Sequence, residues 1–366
     1  MSDVPHLRFP EFSGEWNKYT INDLATVVGG GTPDTTVKSY WGGDIQWFTP
    51  SEIGKNKYVD FSKRTITRDG LDNSSAKLLP LHTILLSSRA TVGECSIASN
   101  ECTTNQGFQS LIAKQCNIDF LYYLIQTKKK DLIRNACGST FLEISANEIR
   151  KIKVAVPVQN EQEQIAKLLS LIDERIATQN KIIEKLQSLI KGLAAQLTQS
   201  GTPNIRLCDC LECHSSTLQE NCVSVTGSYP VYGATGLIGY TNNYAYNGES
   251  ILIVKDGSGV GSLSYVNDHF SVIGTLNYLT AKENYSILYL YYALMAFNFT
   301  PYITGMAIPH IYFKDYGKAK LFYPSIEKRI RIASLLHNIE QKLVVEQNLV
   351  ISLSAQKSYL LRMLFI

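Results

Sequence analysis

Apolar residues recur with helical spacing near the middle of the chain and again at its end. From residue 165 to residue 197 they alternate in steps of four and three, and only Gln179 is polar. The same stripe returns from residue 332 to residue 364, interrupted by Glu346 and Lys357. This heptad spacing predicts two long amphipathic helices. The predicted interface residues are Ile165, Leu169, Ile172, Ile176, Ile183, Leu186, Leu193, Ile332, Leu336, Ile339, Leu343, Val350, Leu353 and Leu360.

The second stripe is a copy of the first, displaced by 167 residues. The region before each stripe repeats as well: Ile84-Leu85-Leu86 is matched by Ile251-Leu252-Ile253, and a Tyr-Tyr pair follows each. A globular region followed by a long helix therefore occurs twice in tandem. The predicted domains are a first globular domain at 1–157, a first helix at 158–199, a second globular domain at 200–324 and a second helix at 325–366.

A helix of this length cannot bury its own apolar stripe, so we predict that the two helices pair. Antiparallel pairing places the globular domains at opposite ends of a rod and relates them by an approximate two-fold axis. Parallel pairing requires the second domain to bridge the length of the rod. Alternatively, each helix packs on its own globular domain as an ordinary amphipathic core helix.

Within the globular domains, short apolar runs alternate with glycine-rich turns. Strands are predicted at Thr83 to Ser87, Ser250 to Lys255 and Leu263 to Val266, and short helices at Phe120 to Asn135 and Tyr289 to Asn298. The fold class predicted is mixed α/β: two globular domains separated by two long antiparallel coiled-coil helices in a pseudo-two-fold tandem repeat.

Composition narrows the possible partners. The net charge is only +3, and the second globular domain is slightly acidic, so a polyanion must be bound through a local patch. No apolar run is long enough to span a bilayer, and the start of the chain lacks a signal pattern, which predicts a soluble cytoplasmic protein. Eight scattered cysteines favour reduced thiols.

Motifs for catalysis or metal binding are weak. Gly29 to Gly31 is not followed by Gly-Lys-Ser/Thr, and Pro33 interrupts any helix there, so a turn is predicted instead of a phosphate loop. No catalytic signature appears, and we predict no enzymatic activity and no metal site. A zinc site remains a weaker alternative because of one cluster, although no second Cys-x-x-Cys follows it. That cluster is Cys208, Cys210, Cys213, His214 and Cys222.

Four segments resemble the specificity subunit of type I restriction-modification enzymes. They are Leu7 to Phe12 before Trp16, Ile84 to Gly93, Asn160 to Ala166 and Tyr229 to Gly236. The resemblance covers essentially the whole chain. It implies that each globular domain is a target recognition domain for one half of a bipartite DNA site, and that the helices are spacers that set the gap and dock two methyltransferase subunits.

The resemblance also implies that this chain holds no cofactor. S-adenosylmethionine is expected in the methyltransferase partners, and ATP and Mg are expected in the restriction subunits that translocate and cut double-stranded DNA. The lack of a P-loop and of an Asn-Pro-Pro-Tyr/Phe motif in this chain is consistent with that division. The alternative function is a structural coiled-coil adaptor that binds two protein partners.

DNA contacts are expected from polar loops of both domains. Asn and Gln suit adenine edges, and Lys and Arg suit phosphates. The candidates are Lys63, Arg64, Arg68, Ser87, Ser88, Arg89, Thr91, Thr103, Thr104, Asn105, Gln106, Lys255, Ser258 and Lys314.

Overall fold

A computed structural model describes residues 4–138 and 142–366 and divides the chain into two compact units. Unit 1 runs to Gln179 and also takes in Leu349–Ile366, while unit 2 is Asn180–Asn348. Each unit therefore contains part of both long helices. Within the described ranges, no helix is long and apolar enough to cross a membrane.

Unit 1 combines short strands and helices with the first part of a 40-residue helix. In chain order, the elements that begin in unit 1 are β1 (Asn17–Thr20), α1 (Ile21–Leu24), β2 (Ala25–Gly29), β3 (Trp41–Phe48), β4 (Tyr58–Val59), β5 (Arg64–Ile66), α2 (Arg68–Asp72), β6 (Ile84–Leu86), β7 (Cys95–Ala98), β8 (Cys102–Thr104), β9 (Gln109–Ala113), α3 (Ile118–Thr127), α4 (Lys129–Arg134), α5 (Ala146–Lys151), β10 (Lys153–Val156) and α6 (Gln159–Thr198).

The described strands of unit 1 form three sheets. A five-stranded sheet has the order β2-β9-β6-β7-β4, a three-stranded sheet has the order β5-β3-β8, and β1 pairs with β10. The apolar run of β6 is completely buried, and its residues Ile84 and Leu86 pack in one core with α3. Asn117 is the N-cap of helix α3: its Oδ1 accepts a hydrogen bond from the Phe120 N–H (3.0 Å), which fixes where this helix starts.

Unit 2 is built from a similar set of elements. Those that begin in unit 2 are β11 (Ile205–Arg206), α7 (Leu207–Cys210), β12 (Leu211–Ser215), β13 (Tyr229–Gly233), β14 (Gly236–Thr241), β15 (Tyr246–Val254), β16 (Leu263–Val272), β17 (Leu276–Ala281), α8 (Ile287–Met295), α9 (Phe313–Tyr316), β18 (Lys320–Leu321) and α10 (Ile326–Leu364).

The sequence duplication is also a duplication of topology. The six-stranded sheet of unit 2 has the order β12-β17-β15-β16-β13-β14, and its first four strands correspond to β2-β9-β6-β7 of unit 1. The pair β11-β18 likewise corresponds to β1-β10. Each unit also pairs one further strand in parallel with the shared scaffold, β3 with β8 in unit 1 and β13 with β16 in unit 2. The antiparallel partner of that strand differs between the units: it is β5 in unit 1 and β14 in unit 2. The predicted mixed α/β fold is confirmed.

Both long helices begin directly after the same local motif. In the first copy, Gln162 Nε2 donates to the Pro157 carbonyl (2.9 Å), and in the second, Arg329 Nη1 donates to the Pro324 carbonyl (2.6 Å). All positions of the two predicted stripes are buried or half-buried, including Gln179, which is 7% exposed. The heptad pattern therefore marks the covered face of each helix.

The helix segments within each unit run antiparallel. In unit 1, the Leu7 N–H donates to the Met363 carbonyl and Arg8 pairs with Glu161, which places the end of α10 beside the start of α6. Further along α6, Asp173 pairs with Lys357 (2.7 Å), an earlier residue of α10. In unit 2, the end of α6 shares a core with the start of α10.

The covered faces also pack on the globular parts. Ile165 and Leu169 of α6 belong to the same buried cluster as Phe120 of α3 and Leu360 of α10. The alternatives of helix pairing and of packing on the adjacent globular domain are therefore both realised, by one stripe at once.

Tyrosines of α3 and α8 attach these helices to the long helices in both copies. The Tyr123 hydroxyl donates to Asp173 (2.7 Å), and the Tyr291 and Tyr292 hydroxyls donate to the two carboxylate oxygens of Glu340 (2.9 and 2.7 Å). Asp173 and Glu340 occupy equivalent positions of the repeat. Burial, assisted by Glu340, raises the pKa of Tyr291 and Tyr292 above the ordinary range, so both phenols are protonated donors.

Two local predictions are corrected. The helix predicted at Phe120 to Asn135 is two helices, α3 and α4, which meet at Lys128. Gly29 ends β2, and the chain then continues without a regular turn. Gly30 and Gly31 instead pack closely against neighbouring backbone, because their N–H groups donate to the Phe108 and Thr104 carbonyls.

Candidate nucleic-acid interface

Two polar loops of unit 1 meet at one shallow pocket. The first links β6 to β7, and the second links β8 to β9. The pocket has a volume of about 250 Å³. It is lined by Pro50, Arg89, Ala90, Asn105, Gln106 and Gly107. Two segments that the sequence analysis proposed separately as DNA contacts are therefore neighbours in space.

Hydrogen bonds hold the two loops in place. The Ser88 N–H donates to the Gly107 carbonyl (2.8 Å), and the Gly107 N–H donates to Asn105 Oδ1 (2.9 Å). The Thr32 hydroxyl donates to Gln106 Oε1. Both carboxamide oxygens are thus occupied, whereas the NH₂ groups of Asn105 and Gln106 donate to none of the described residues. These NH₂ groups suit an acceptor on a base edge.

Four predicted DNA contacts lie in the interior. Ser87, Ser88, Thr103 and Thr104 are each at most 1% exposed. Thr103 Oγ1 donates to the Gln46 carbonyl (2.8 Å), so its polarity serves the sheet. These four side chains have no surface with which to touch DNA, and the sequence-based prediction is corrected for them. The polar character of these segments reflects buried strand ends instead of a solvated loop.

The remaining side chains of the first loop lie at the surface. Thr91 is exposed, and the Arg89 guanidinium lies 3.7 Å from the Glu143 carboxylate, with both side chains about half exposed. Exposed ion pairs of this kind contribute little free energy. This pair therefore adds little to the stability of the loop.

A second basic group lies on and beside β5. Lys63 is exposed, and Arg68 is exposed and pairs with Asp72 (3.4 Å) on the same helix. The Arg64 guanidinium lies over the Trp41 ring, with Cζ 3.6 Å from the ring centroid. Sequence inspection proposed the three cations but not Trp41, for which the available signal was an aromatic residue directly before Gly-Gly.

In unit 2, the candidates lie on two neighbouring segments. Lys255 is half-buried and Ser258 is exposed, both in the loop between β15 and β16. Lys314 is exposed on α9, with Nζ 5.0 Å from the centroid of the Tyr312 ring. The Ile311 N–H donates to the Lys255 carbonyl (2.9 Å), which ties these segments together.

Equivalent loops of the two units carry different charges. An isolated bridge joins Arg89 to Glu143 in unit 1, and another joins Asp256 to His310 in unit 2, each residue 167 positions after its counterpart. The backbone arrangement is shared, while an Arg/Glu pair is replaced by an Asp/His pair. The side-chain chemistry at this position has therefore diverged on a common scaffold.

The cysteine-rich segment of unit 2 has no metal-binding geometry. The Cys210 thiol donates to the Leu207 carbonyl (3.3 Å), and His214 Nε2 contacts the Thr280 hydroxyl (2.9 Å). Burial raises the pKa of Cys210 to about 12 and of Cys213 to about 11, which disfavours the thiolates that zinc requires. Among the described residues, no three His, Cys, Asp or Glu side chains are grouped to hold a metal ion.

Comparison with known proteins assigns this architecture to a family. Residues 13–188 and 205–353 both match the model described as the type I restriction modification DNA specificity domain. The chain belongs to this family. Two matches in one chain correspond to the two copies of the repeat, and the resemblance noted in the sequence is confirmed.

Members of this type I specificity family are similar to the chain over different lengths. The MjaIX specificity subunit of Methanocaldococcus jannaschii is 39% identical over 183 residues, which cover 47% of this chain and 42% of that protein. The EcoprrI specificity subunit of Escherichia coli is 25% identical over 361 residues, covering 89% of this chain and 87% of that protein. The first relative is thus matched over less than half of its length.

A solved structure shares the fold of the type I specificity family. The S subunit of a type I restriction-modification system from M. genitalium has a TM-score of 0.67 at 19% identity and covers 99% of each chain. At this identity, the likeness concerns the fold, which extends over the whole chain.

Proposed function

We propose that this chain is the DNA specificity subunit of a type I restriction-modification complex. The observation that carries the proposal is that the specificity-domain model matches each copy of the structural repeat. Each globular domain recognises one half of a bipartite double-stranded site, and the long helices set the gap between the halves. The shared scaffold with divergent loops supports two unlike half-sites.

The partners are two methyltransferase subunits and the restriction subunits. The long helices carry many exposed apolar side chains outside their covered stripe, as expected of a docking face. Examples are Leu171, Leu189, Ile330, Leu335, Val345 and Ile351. The chain itself is not catalytic under this proposal. S-adenosylmethionine belongs to the methyltransferases, ATP and Mg belong to the restriction subunits, and the complex acts on DNA in the cytoplasm.

The test is to express the chain with its neighbouring methyltransferase and map methylated bases across the host genome. We expect one motif made of two short, different sequences separated by unspecified bases. Expression of the methyltransferase alone is the control and should leave that motif unmethylated. Methylation without a split motif, or identical in both cultures, contradicts the proposal and leaves the structural adaptor as the better explanation.

A further inference from the structure

The three-stranded sheet β5-β3-β8 of unit 1 corresponds to β14-β13-β16 of unit 2, in which β13 likewise runs parallel to β16. It carries Trp41 and Arg64 on adjacent strands. Strands β13 and β14 of unit 2 carry neither tryptophan nor arginine, so recognition by this pair of side chains is specific to the first domain. The pair can therefore distinguish one half-site from the other.

A bulge in β3 positions the Trp41 ring. Ile66 of β5 is paired with both Trp41 and Ile45, so the intervening residues of β3 are extra. Gly42 has φ +82°, and a Cβ on Gly43 would lie 2.6 Å from the Ile66 carbonyl oxygen. Only glycine suits both positions, and the resulting bulge turns Trp41 toward Arg64.

Hydrogen bonds fix the positions of the two indole rings next to Arg64. Trp41 Nε1 donates to the Asp34 carbonyl (3.1 Å), and Trp47 Nε1 donates to the Gly31 carbonyl (2.9 Å). The two indoles meet edge to face with centroids 5.0 Å apart. The guanidinium stacks on a surface that is fixed before any ligand arrives, which lowers the conformational entropy lost on binding.

Arg64 also differs from the neighbouring arginines in its polar contacts. Arg68 pairs with Asp72 and Arg89 pairs with Glu143, whereas the Arg64 guanidinium has neither an ion pair nor a hydrogen bond with any described residue. Its face is covered by Trp41 while its N–H edge is not used. A planar fork held in this way matches a partner with two adjacent acceptors.

We propose that Arg64 recognises a guanine in the half-site of the first domain, by donating to guanine O6 and N7 through the major groove. This inference rests on the proposed function and assigns it a specificity-determining residue. Phosphate also accepts two hydrogen bonds from arginine, but a phosphate contact tolerates lysine and carries no base preference. Substitution by lysine therefore separates the two roles.

The experiment maps methylation in cells that express the complete methyltransferase complex with wild type, Arg64→Lys, Arg64→Ala or the control Arg134→Ala, which removes an exposed arginine of α4 that pairs with Asp131. Arg64 is exposed, and thermal unfolding of each purified complex verifies that folding is unchanged. For both Arg64 variants we expect one guanine position of one half-site to lose roughly 10- to 100-fold of its discrimination. The other half-site and the gap remain as in wild type, and Arg134→Ala keeps the wild-type motif.

Two results would overturn the assignment. One is an unchanged motif in both Arg64 variants. The other is a wild-type map for Arg64→Lys together with uniformly weaker methylation for Arg64→Ala, which is the pattern of a phosphate contact. Failure of the proposed function looks different, because the wild-type chain itself then gives no bipartite motif.

Discussion

At Gly30 the backbone passes so close to its neighbours that no side chain fits. A Cβ placed there would lie 2.0 Å from the Asn105 carbonyl oxygen and 2.4 Å from Thr104 Oγ1. At Gly29, one residue earlier, the nearest atoms are 3.6 Å away in the flexible Gln109 side chain. The glycine run thus packs directly against the loop that contains Asn105.

Gly30→Ala should lower the free energy of unfolding by about 1–3 kcal/mol, because the Asn105 backbone must move to admit the methyl group. Gly29→Ala is the matched control and should stay within about 0.5 kcal/mol of wild type. Urea unfolding of the two purified variants measures both values. Equal stability of the two variants would show that the segment near Asn105 yields easily.

The side chains of the candidate interface were only partly predictable. Asn105, Gln106 and Arg89 do lie together at a surface pocket, because β6 and β9 pair antiparallel and so bring the loop that follows β6 beside the loop that precedes β9. Ser88 and Thr104 were misassigned because small hydroxyl residues occur in buried strand ends as well as in solvated loops. Sequence alone does not show where a hydroxyl finds its partner.

The amino-terminal segment that contains Arg8 has a structural role in unit 1. Arg8 makes two 2.8 Å hydrogen bonds to the carboxylate of Glu161, and Trp16 Nε1 donates to the same group. Glu161 is completely buried at the start of α6. The amino-terminal segment thus neutralises a charge that an amphipathic pattern would place in solvent, and no periodicity argument could have predicted that burial.

Among the elements, the helices α8 and α10 are joined through one carboxylate. Glu340 accepts hydrogen bonds from both Tyr291 and Tyr292, whose side chains are otherwise buried against α10. This bridge replaces, in unit 2, the bond from Tyr123 to Asp173 in unit 1. It fixes where the helix of the globular part sits along the long helix.

Glu340→Ala should destabilise the protein by about 1–3 kcal/mol, because two buried phenol groups lose their acceptor. Asn338→Ala, at an exposed position of the same helix, is the control and should be nearly neutral. Chemical unfolding monitored by tyrosine and tryptophan fluorescence gives both numbers. If the two variants unfold alike, solvent or a rearranged partner replaces the carboxylate.

The long helices themselves were the most predictable elements. Their apolar stripe specifies length and covered face together, since only a helix brings positions three and four apart onto one side. The stripe does not reveal that Leu169 faces α3 and α10 at the same time. Packing against two neighbours needs the same apolar residue as packing against one.

At the scale of the whole molecule, the long helices act as a ruler under the proposed function. Inserting one heptad after Gln179 and another after Glu346 adds about 10 Å to each helix at 1.5 Å per residue. The apolar register is kept. We expect the unspecified gap of the methylated motif to grow by about three base pairs, with both half-sites unchanged.

The control places seven flexible residues between Ser200 and Asn204, outside both helices. This insertion should leave the gap as in wild type. Methylome sequencing of cells carrying each variant with the methyltransferase reads the gap directly. The proposal that the helices set the gap is contradicted if the gap is unchanged after the helical insertions. It is also contradicted if the gap grows equally after the control insertion.

Unit 1 is completed by residues from the far end of the polypeptide. Phe365 stacks on Phe120 with ring centroids 5.2 Å apart and meets Trp16 edge-on, while Leu364 lies in the same core. If the first half of the chain is expressed by itself, Phe120 and Trp16 lose their contacts with Phe365, and apolar surface is exposed to solvent. To produce unit 1 by itself, the last eighteen residues, Leu349–Ile366, have to be supplied in trans. A cut near Ser200 in the intact chain should leave both cores whole.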